Sequence, residues 1–212
     1  MIKNKKKLLF SSVIILLPIL LGLMVWERLP EQVPTHWGPG GEPDGWSSKA
    51  VAVFALPLFL VAIHWLCIFA TGKDAKNQGQ NKKLMGMVYW LTPAISLLVN
   101  GMMYTFALGY DISILGIIPL LMGVMFIFLG NYLPKCKPNR TIGLRVKWTL
   151  ENEENWNATH RFGGKVLFFG GFALLLCVFL PEAVVAWVTL PMMLLLTTLP
   201  IIYSYRYYKK HQ

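Results

Sequence analysis

Residues 50–70 read AVAVFALPLFLVAIHWLCIFA and contain no Asp, Glu, Lys or Arg. A helix rises about 1.5 Å per residue, so about 20 apolar residues are needed to cross the roughly 30 Å of bilayer hydrocarbon. The stretch is long enough, and a charge at its centre would cost at least about 2.5 kcal/mol. It therefore predicts a membrane-spanning helix.

Five further stretches are predominantly apolar and free of charged residues: 8–26, 84–108, 112–133, 166–180 and 183–205. The fifth span in chain order is short, and the four residues before it could extend it. Only 14% of the 212 residues are charged, against about 25% in an ordinary soluble domain. We therefore predict an all-α, polytopic membrane protein with six transmembrane helices.

The basic residues are distributed unevenly between the segments that join these spans. Eighteen of the twenty Lys and Arg lie at the two chain ends and in residues 71–83 and 134–165, which leaves only Arg28 and Lys49 between the first two spans. Lys and Arg are held on the cytoplasmic side during insertion. Both termini are therefore predicted to be cytoplasmic, and the net charge of +10 is a topology signal that predicts no direct nucleic-acid binding.

The amino-terminal lysines, Lys3, Lys5, Lys6 and Lys7, precede an apolar run, as in a secretory signal peptide. The run is long, however, and it lacks a small-residue cleavage site. We therefore predict a retained first helix.

Three parts of the chain are predicted. Residues 1–70 hold the first two spans with the external loop 27–49, residues 71–133 hold a basic cytoplasmic loop with the third and fourth spans, and residues 134–212 hold a second cytoplasmic loop with the last two spans. Three cysteines, two of them inside spans, do not form a disulfide framework. No cofactor is expected.

The external loop reads ERLPEQVPTHWGPGGEPDGWSSK, and its four prolines and four glycines forbid a long helix. Extended segments broken by tight turns are predicted. Its carboxylates and tryptophans could hold a cationic amphipathic peptide, with His36, Trp37, Asp44 and Trp46 as the candidate toxin-binding residues. The alternative is that the tryptophans are interfacial anchors. No second His or Cys stands at ligand spacing from His36, so no metal site is predicted.

The second half of the loop 134–165 is predicted to form a short helix over about 150–162. Thr149 is placed to cap its start, and Gly163 and Gly164 are expected to end it.

Three side chains of this helix, Asn152, Trp156 and His160, recur at four-residue spacing and share one face. That face is predicted to lie along the membrane or against the helix bundle.

These motifs resemble the SdpI family. Asn-Arg-Thr-Ile-Gly-Leu-Arg at 139–145, Trp-Thr-Leu at 148–150 and Asn-x-x-x-Trp-x-x-x-His-Arg at 152–161 are similar to its cytoplasmic signature. Leu-Pro-x-x-Val-Pro-x-His-Trp at 29–37 and Gly-Glu-Pro-Asp-Gly-Trp at 41–46 are similar to the short domain of unknown function that precedes it. The family's usual Arg-Thr-Pro-Trp is replaced here by Arg-Val-Lys-Trp at 145–148. The signature residues of this chain are Asn139, Arg140, Gly143, Arg145, Trp148, Asn152, Trp156, His160 and Arg161.

The resemblance implies a multi-pass protein of the bacterial plasma membrane that protects its own cell from a secreted toxic peptide, as a family member does against a sporulation-delaying toxin. It also implies a signalling branch, in which the toxin-bound protein holds a cytoplasmic transcriptional repressor at the membrane. The implied partners are membrane lipids, the toxic peptide and the repressor. The basic inner loop fits an acidic patch on a repressor and anionic lipid equally well.

Two other classes are less well supported by the residues. A small transporter or channel normally keeps ionisable groups at mid-membrane, where these spans offer only His64, with Asn100 as a polar companion. An enzyme would need a nucleophile with a base, or paired metal ligands, and the histidines His36, His64, His160 and His211 are scattered. No catalytic residue is therefore predicted.

Overall fold

The computed structural model describes residues 4–211. Its long helices are α1 (Lys5–Met24), α2 (Lys49–Lys73), α3 (Lys82–Ala107), α4 (Ile114–Tyr132), α6 (Glu153–Leu176) and α7 (Glu182–Lys210). The connections contain a short helix, α5 (Lys147–Glu151), and two strands, β1 (Gln32–Trp37) and β2 (Pro43–Ser48). All six long helices are long and apolar enough to cross a membrane, which confirms the predicted fold class. The chain is therefore a multi-pass membrane protein.

The orientation of the termini stays a prediction, as does the division into 1–70, 71–133 and 134–212. Of the residues used to predict orientation, Lys3 lies outside the described part of the chain.

The helices form two compact units. One comprises the residues up to Lys73 together with Met85–Ile114, and it contains α1, α2, nearly all of α3 and the two strands. The other comprises Asp74–Leu84 and the residues from Leu115 onward, and it contains α4 to α7.

In the first unit, polar groups of α1 face the neighbouring helices. The Ser11 hydroxyl lies 2.8 Å from Nε2 of His64 on α2. On α3, the Ser96 hydroxyl donates to the Ile15 carbonyl at 2.8 Å. Such bonds hold helices together in lipid, where no water competes for the polar groups. His64, the residue that a proton-relay transporter was expected to use, is thus fully buried in a helix–helix contact.

In the second unit, α6 packs closely against α4 through glycines. A Cβ on Gly171 would lie 2.7 Å from the carbonyl oxygen of Gly123, and one on Gly164 would lie 2.9 Å from that of Gly130. Both distances are shorter than ordinary carbon–oxygen contact. Two glycines seven residues apart on each helix therefore let the backbones touch, which is a common contact in membrane bundles.

The adjacent glycines of α6 face α7 in the same way. A Cβ on Gly170 would overlap the side chain of Leu196, and one on Gly163 would lie 3.1 Å from Cβ of Pro200. Each of the two Gly-Gly pairs of α6 therefore allows close packing against α4 on one side and α7 on the other.

This packing explains why the prediction of a separate short helix over about 150–162 is wrong. The helix begins at Glu153, where the Asn152 side chain caps it by accepting from the Asn155 N–H at 2.8 Å, and it continues through Gly163 and Gly164 into the fifth span. Thr149 instead belongs to α5, where its hydroxyl accepts from the Val146 N–H at 3.1 Å. The diglycine has the local character of a helix end, but its role is close helix packing.

Candidate functional site

The strands of the predicted external loop form an antiparallel hairpin. Val33 pairs with Ser47 and Pro34 with Trp46, and a bulge follows at Thr35. At its tip the Gly38 N–H donates to the Glu42 carbonyl at 3.0 Å. The predicted extended segments are confirmed, and the tight turn lies at residues 38–42, before β2 begins at Pro43.

The base of the hairpin is fixed to the helices by apolar side chains. Val33 is fully buried, and with Leu29 it joins a core formed by α2 and α3. The Lys49 ammonium lies 2.8 Å from the Glu31 carboxylate, at the first residue of α2. Contacts with α2 and α3 therefore hold the base of the hairpin in place.

The four candidate toxin-binding residues do not all point the same way. Nδ1 of His36 lies 2.5 Å from Oδ1 of Asp44, and these side chains are 72% and 51% exposed. Trp46 is 55% exposed. Trp37 is partly buried, because its ring packs edge-on against Phe106 with centroids 5.6 Å apart. The hairpin surface (His36, Asp44 and Trp46) is therefore open to a ligand, and Trp37 anchors it.

Asn139 organises the segment that we call the motif loop, residues 136–146. Its side chain is 1% exposed. Its Oδ1 accepts from the N–H groups of Thr141 and Ile142 at 2.8 and 2.6 Å, and its Nδ2 donates to the Lys137 and Ile142 carbonyls at 2.9 Å each. One side chain thus replaces the backbone pairing that the loop lacks.

Trp156 and His160 support the motif loop from α6. Their rings stack with centroids 4.0 Å apart, and both side chains are buried. The Trp156 indole donates to the Cys136 carbonyl at 2.8 Å, and Nε2 of His160 accepts from the Leu144 N–H at 3.1 Å. Two residues of the predicted shared face, Trp156 and His160, therefore dock against protein, whereas Asn152 precedes the helix and is exposed. Gly143, with φ +104°, makes room for the His160 ring.

These contacts determine the chemistry that His160 can perform. Since Nε2 accepts from the Leu144 N–H, Nδ1 carries the proton and donates to the Trp156 carbonyl at 2.8 Å. Both ring nitrogens are thus occupied, so the ring holds the loop in place and has no free lone pair for a proton or a metal ion. Over residues 4–211, no three His, Cys, Asp or Glu side chains cluster as metal ligands would.

The motif loop is also bound by the connector between α2 and α3, whose role the sequence alone did not predict. Oδ2 of Asp74 accepts from the Arg140 N–H at 2.8 Å. Gln80 makes a two-point contact with the Lys137 backbone, donating to its carbonyl at 2.7 Å and accepting from its N–H at 3.0 Å. Asn77 donates to the Thr141 hydroxyl at 2.7 Å. These partners lie 57 to 66 residues apart in the chain, and no local pattern predicts them.

A second missed residue is Asn155, whose Oδ1 accepts from the hydroxyls of Ser204 and Thr159 at 2.8 Å each. Its Nδ2 donates to the Ser204 carbonyl at 3.1 Å. One indication of this role was present in the sequence, because Asn155 stands next to Trp156 and Thr159 follows one helical turn later.

Among the other signature residues, Trp148 packs against neighbouring side chains and the three arginines are exposed to solvent. Trp148 packs between the rings of Tyr205 and Tyr208, with centroids 5.3 and 6.1 Å away. Arg140 and Arg161 are exposed. Arg145, also exposed, donates to the Arg140 carbonyl at 2.8 Å.

The thiol of Cys136 lies within the motif loop. Burial raises the pKa of this thiol to about 11, and the hydrogen bond from Asn139 acts in the opposite direction. The thiol is therefore protonated at neutral pH and unsuited to nucleophilic attack.

Comparison with known proteins gives two family matches. Residues 135–204 match the SdpI/YfhL protein family, and residues 13–61 match a domain of unknown function, DUF1648. The first match contains the motif loop and the second contains the hairpin.

Two relatives are also similar to the chain. "Immunity protein SdpI" of Bacillus subtilis (strain 168) is 29% identical over 205 residues, which cover 97% of each chain. An "Uncharacterized protein" of Archaeoglobus fulgidus is 38% identical over 59 residues, covering 28% of this chain and 32% of that one. No solved structure matches the chain.

Proposed function

We propose that the chain is a membrane immunity protein that protects the cell making it from a secreted toxic peptide, because residues 135–204 match the SdpI/YfhL protein family. The observation that carries this proposal is its similarity to "Immunity protein SdpI" over 97% of both chains. A match of that length includes both the hairpin and the motif loop. Function by binding, without catalysis, agrees with a His160 ring whose nitrogens are both occupied.

The hairpin surface is the proposed toxin-binding site, and it faces out of the cell. We infer this orientation from the lysines and arginines, which are held on the cytoplasmic side during insertion. Eighteen of the twenty lie in segments that are cytoplasmic when the hairpin faces outward. Asp44 supplies a carboxylate beside His36, and Trp46 offers a large exposed ring. A cationic amphipathic peptide needs both kinds of contact.

Protection of sensitive cells tests this proposal. Cells expressing the chain are challenged with the sporulation-delaying toxin and with culture supernatant from the organism that encodes the chain. Trp46→Ala and Asp44→Asn are each expected to lower protection about tenfold or more, since removing a central interface residue commonly costs over 1 kcal/mol. Matched controls are Trp187→Ala and Asp111→Asn, which remove an exposed tryptophan and an exposed aspartate elsewhere. These controls are expected to protect like the wild type.

Membrane abundance is measured for every variant. If protection follows abundance alone, the hairpin residues are structural and the assigned site is wrong. If the abundant wild-type protein protects against neither source of toxin, the immunity function itself is wrong.

We also propose a signalling branch, in which the motif loop holds a cytoplasmic transcriptional repressor. The observation that favours it is the contrast between a buried, fully hydrogen-bonded scaffold around Asn139 and the exposed side chains of Arg140 and Arg145. An acidic patch on a partner fits such a surface. Arg140→Gln with Arg145→Gln is expected to abolish recruitment of a co-encoded repressor to the membrane without lowering protection. If recruitment persists, or if the same change only weakens binding to anionic vesicles, this branch is wrong.

A further inference from the structure

One end of the second unit carries a belt of aromatic side chains. Tyr132 ends α4, and Tyr205, Tyr207 and Tyr208 lie near the end of α7. The Lys135 ammonium stands 4.7 Å above the Tyr132 ring. Tyrosine and lysine in these positions mark the level of the lipid headgroups. The α6 helix passes this level between Glu153, its first residue, and the apolar run that begins near 166.

A groove of about 410 Å³ opens at the same level, lined by Pro134, Glu154, Asn157, Arg161 and Tyr207. Its two charged residues lie on α6, and the structure gives neither an ion-pair partner within residues 4–211. Seven residues separate them, so Arg161 lies about 10 Å nearer the hydrocarbon than Glu154. From the bilayer outward the groove thus presents a cation, then an amide, then a carboxylate.

We propose that this groove binds the headgroup of phosphatidylethanolamine. That lipid presents its charges in the complementary order, because the phosphate lies next to the acyl chains and the ammonium lies outside it. Arg161 binds the phosphate, for which its guanidinium is suited, and Glu154 binds the ammonium. Phosphatidylglycerol has the phosphate but no ammonium, so Glu154 determines the preference between the two lipids.

Native mass spectrometry of the full-length protein, released from nanodiscs of equal phosphatidylethanolamine and phosphatidylglycerol content, tests the proposal. The wild type is expected to retain phosphatidylethanolamine about threefold over phosphatidylglycerol, as one exposed ion pair allows. Arg161→Gln is expected to lower retention of both lipids about tenfold. Glu154→Gln is expected to bring the ratio of the two lipids to one while retaining both.

The matched controls are Lys165→Gln and Glu153→Gln, which neutralise neighbouring exposed charges of α6 outside the groove. Both are expected to behave as wild type, and thermal unfolding in detergent confirms that every variant is folded. Equal retention of the two lipids by the wild type would overturn the proposal, as would an effect of Lys165→Gln equal to that of Arg161→Gln. Displacement of the bound lipid by excess inorganic phosphate would assign the groove to a free anion instead.

Discussion

Replacing Gly143 with alanine is expected to destabilise the motif loop strongly. The residue has φ +104°, where an alanine costs about 1–2 kcal/mol. The new Cβ would overlap Nε2 of His160 and lie 3.2 Å from Cζ2 of Trp156. Both rings are buried, so neither can move away. Losing the hydrogen bond from the Leu144 N–H adds about 1–3 kcal/mol, which gives a total of about 2–5 kcal/mol.

Alanine substitutions at two other glycines distinguish the backbone cost from the cost of the contact with His160. Gly109 has φ +83° but open space around its Cβ position, so Gly109→Ala has the backbone cost alone, about 1–2 kcal/mol. Gly86 lies in α3, also with open space, so Gly86→Ala is expected to be neutral or slightly stabilising.

The assay is the midpoint of thermal unfolding in detergent micelles, measured for the wild type and the three variants side by side. The expected order, from most to least stable, is Gly86→Ala, wild type, Gly109→Ala, Gly143→Ala. If Gly143→Ala unfolds at the same midpoint as Gly109→Ala, the contact with His160 contributes nothing and the reasoning is refuted.

Two further predictions concern the partners of the motif loop. Gln80→Ala removes both hydrogen bonds to the Lys137 backbone and is expected to lower the stability of the motif loop by about 1–3 kcal/mol. The loss is seen as faster hydrogen exchange in residues 136–142. The exposed control Gln32→Ala leaves that exchange unchanged. Burial raises the pKa of the Cys136 thiol to about 11, so the reactive thiolate is scarce below that pH. Iodoacetamide at pH 8 is therefore expected to label Cys136 about a hundredfold more slowly in the folded protein than in the denatured chain. Asn139→Ala is expected to raise that labelling rate at least about tenfold by opening the loop, and an unchanged rate would show that Asn139 does not hold the loop closed.

The elements that the sequence predicted correctly are those determined by local composition. Six uncharged apolar runs, the fifth of them short, predicted the spans, because length and the absence of charge can be read from each run alone. Proline and glycine predicted the extended segments and the tight turn for a similar reason, since they limit the backbone wherever they occur. The four-residue spacing of Trp156 and His160 predicted their shared face but not the partner that covers it, and Asn152, included in that face, instead caps the helix.

What the sequence could not predict depends on contacts between distant segments. Gly163 and Gly164 have the character of a helix end, and only the approach of α4 and α7 shows that they are packing residues. Gln80 carries no local signal for its contact with the Lys137 backbone, 57 residues away.

The signature residues themselves separate into two physical classes. Asn139, Trp156 and His160 are buried with their hydrogen bonds satisfied inside the protein, and changing them would disturb the loop whatever its function. Arg140 and Arg161 have exposed side chains, and holding an exposed cation brings little stability. Loss of function in the first class therefore cannot identify a partner surface. Variants of the exposed arginines can, because their fold is expected to be intact.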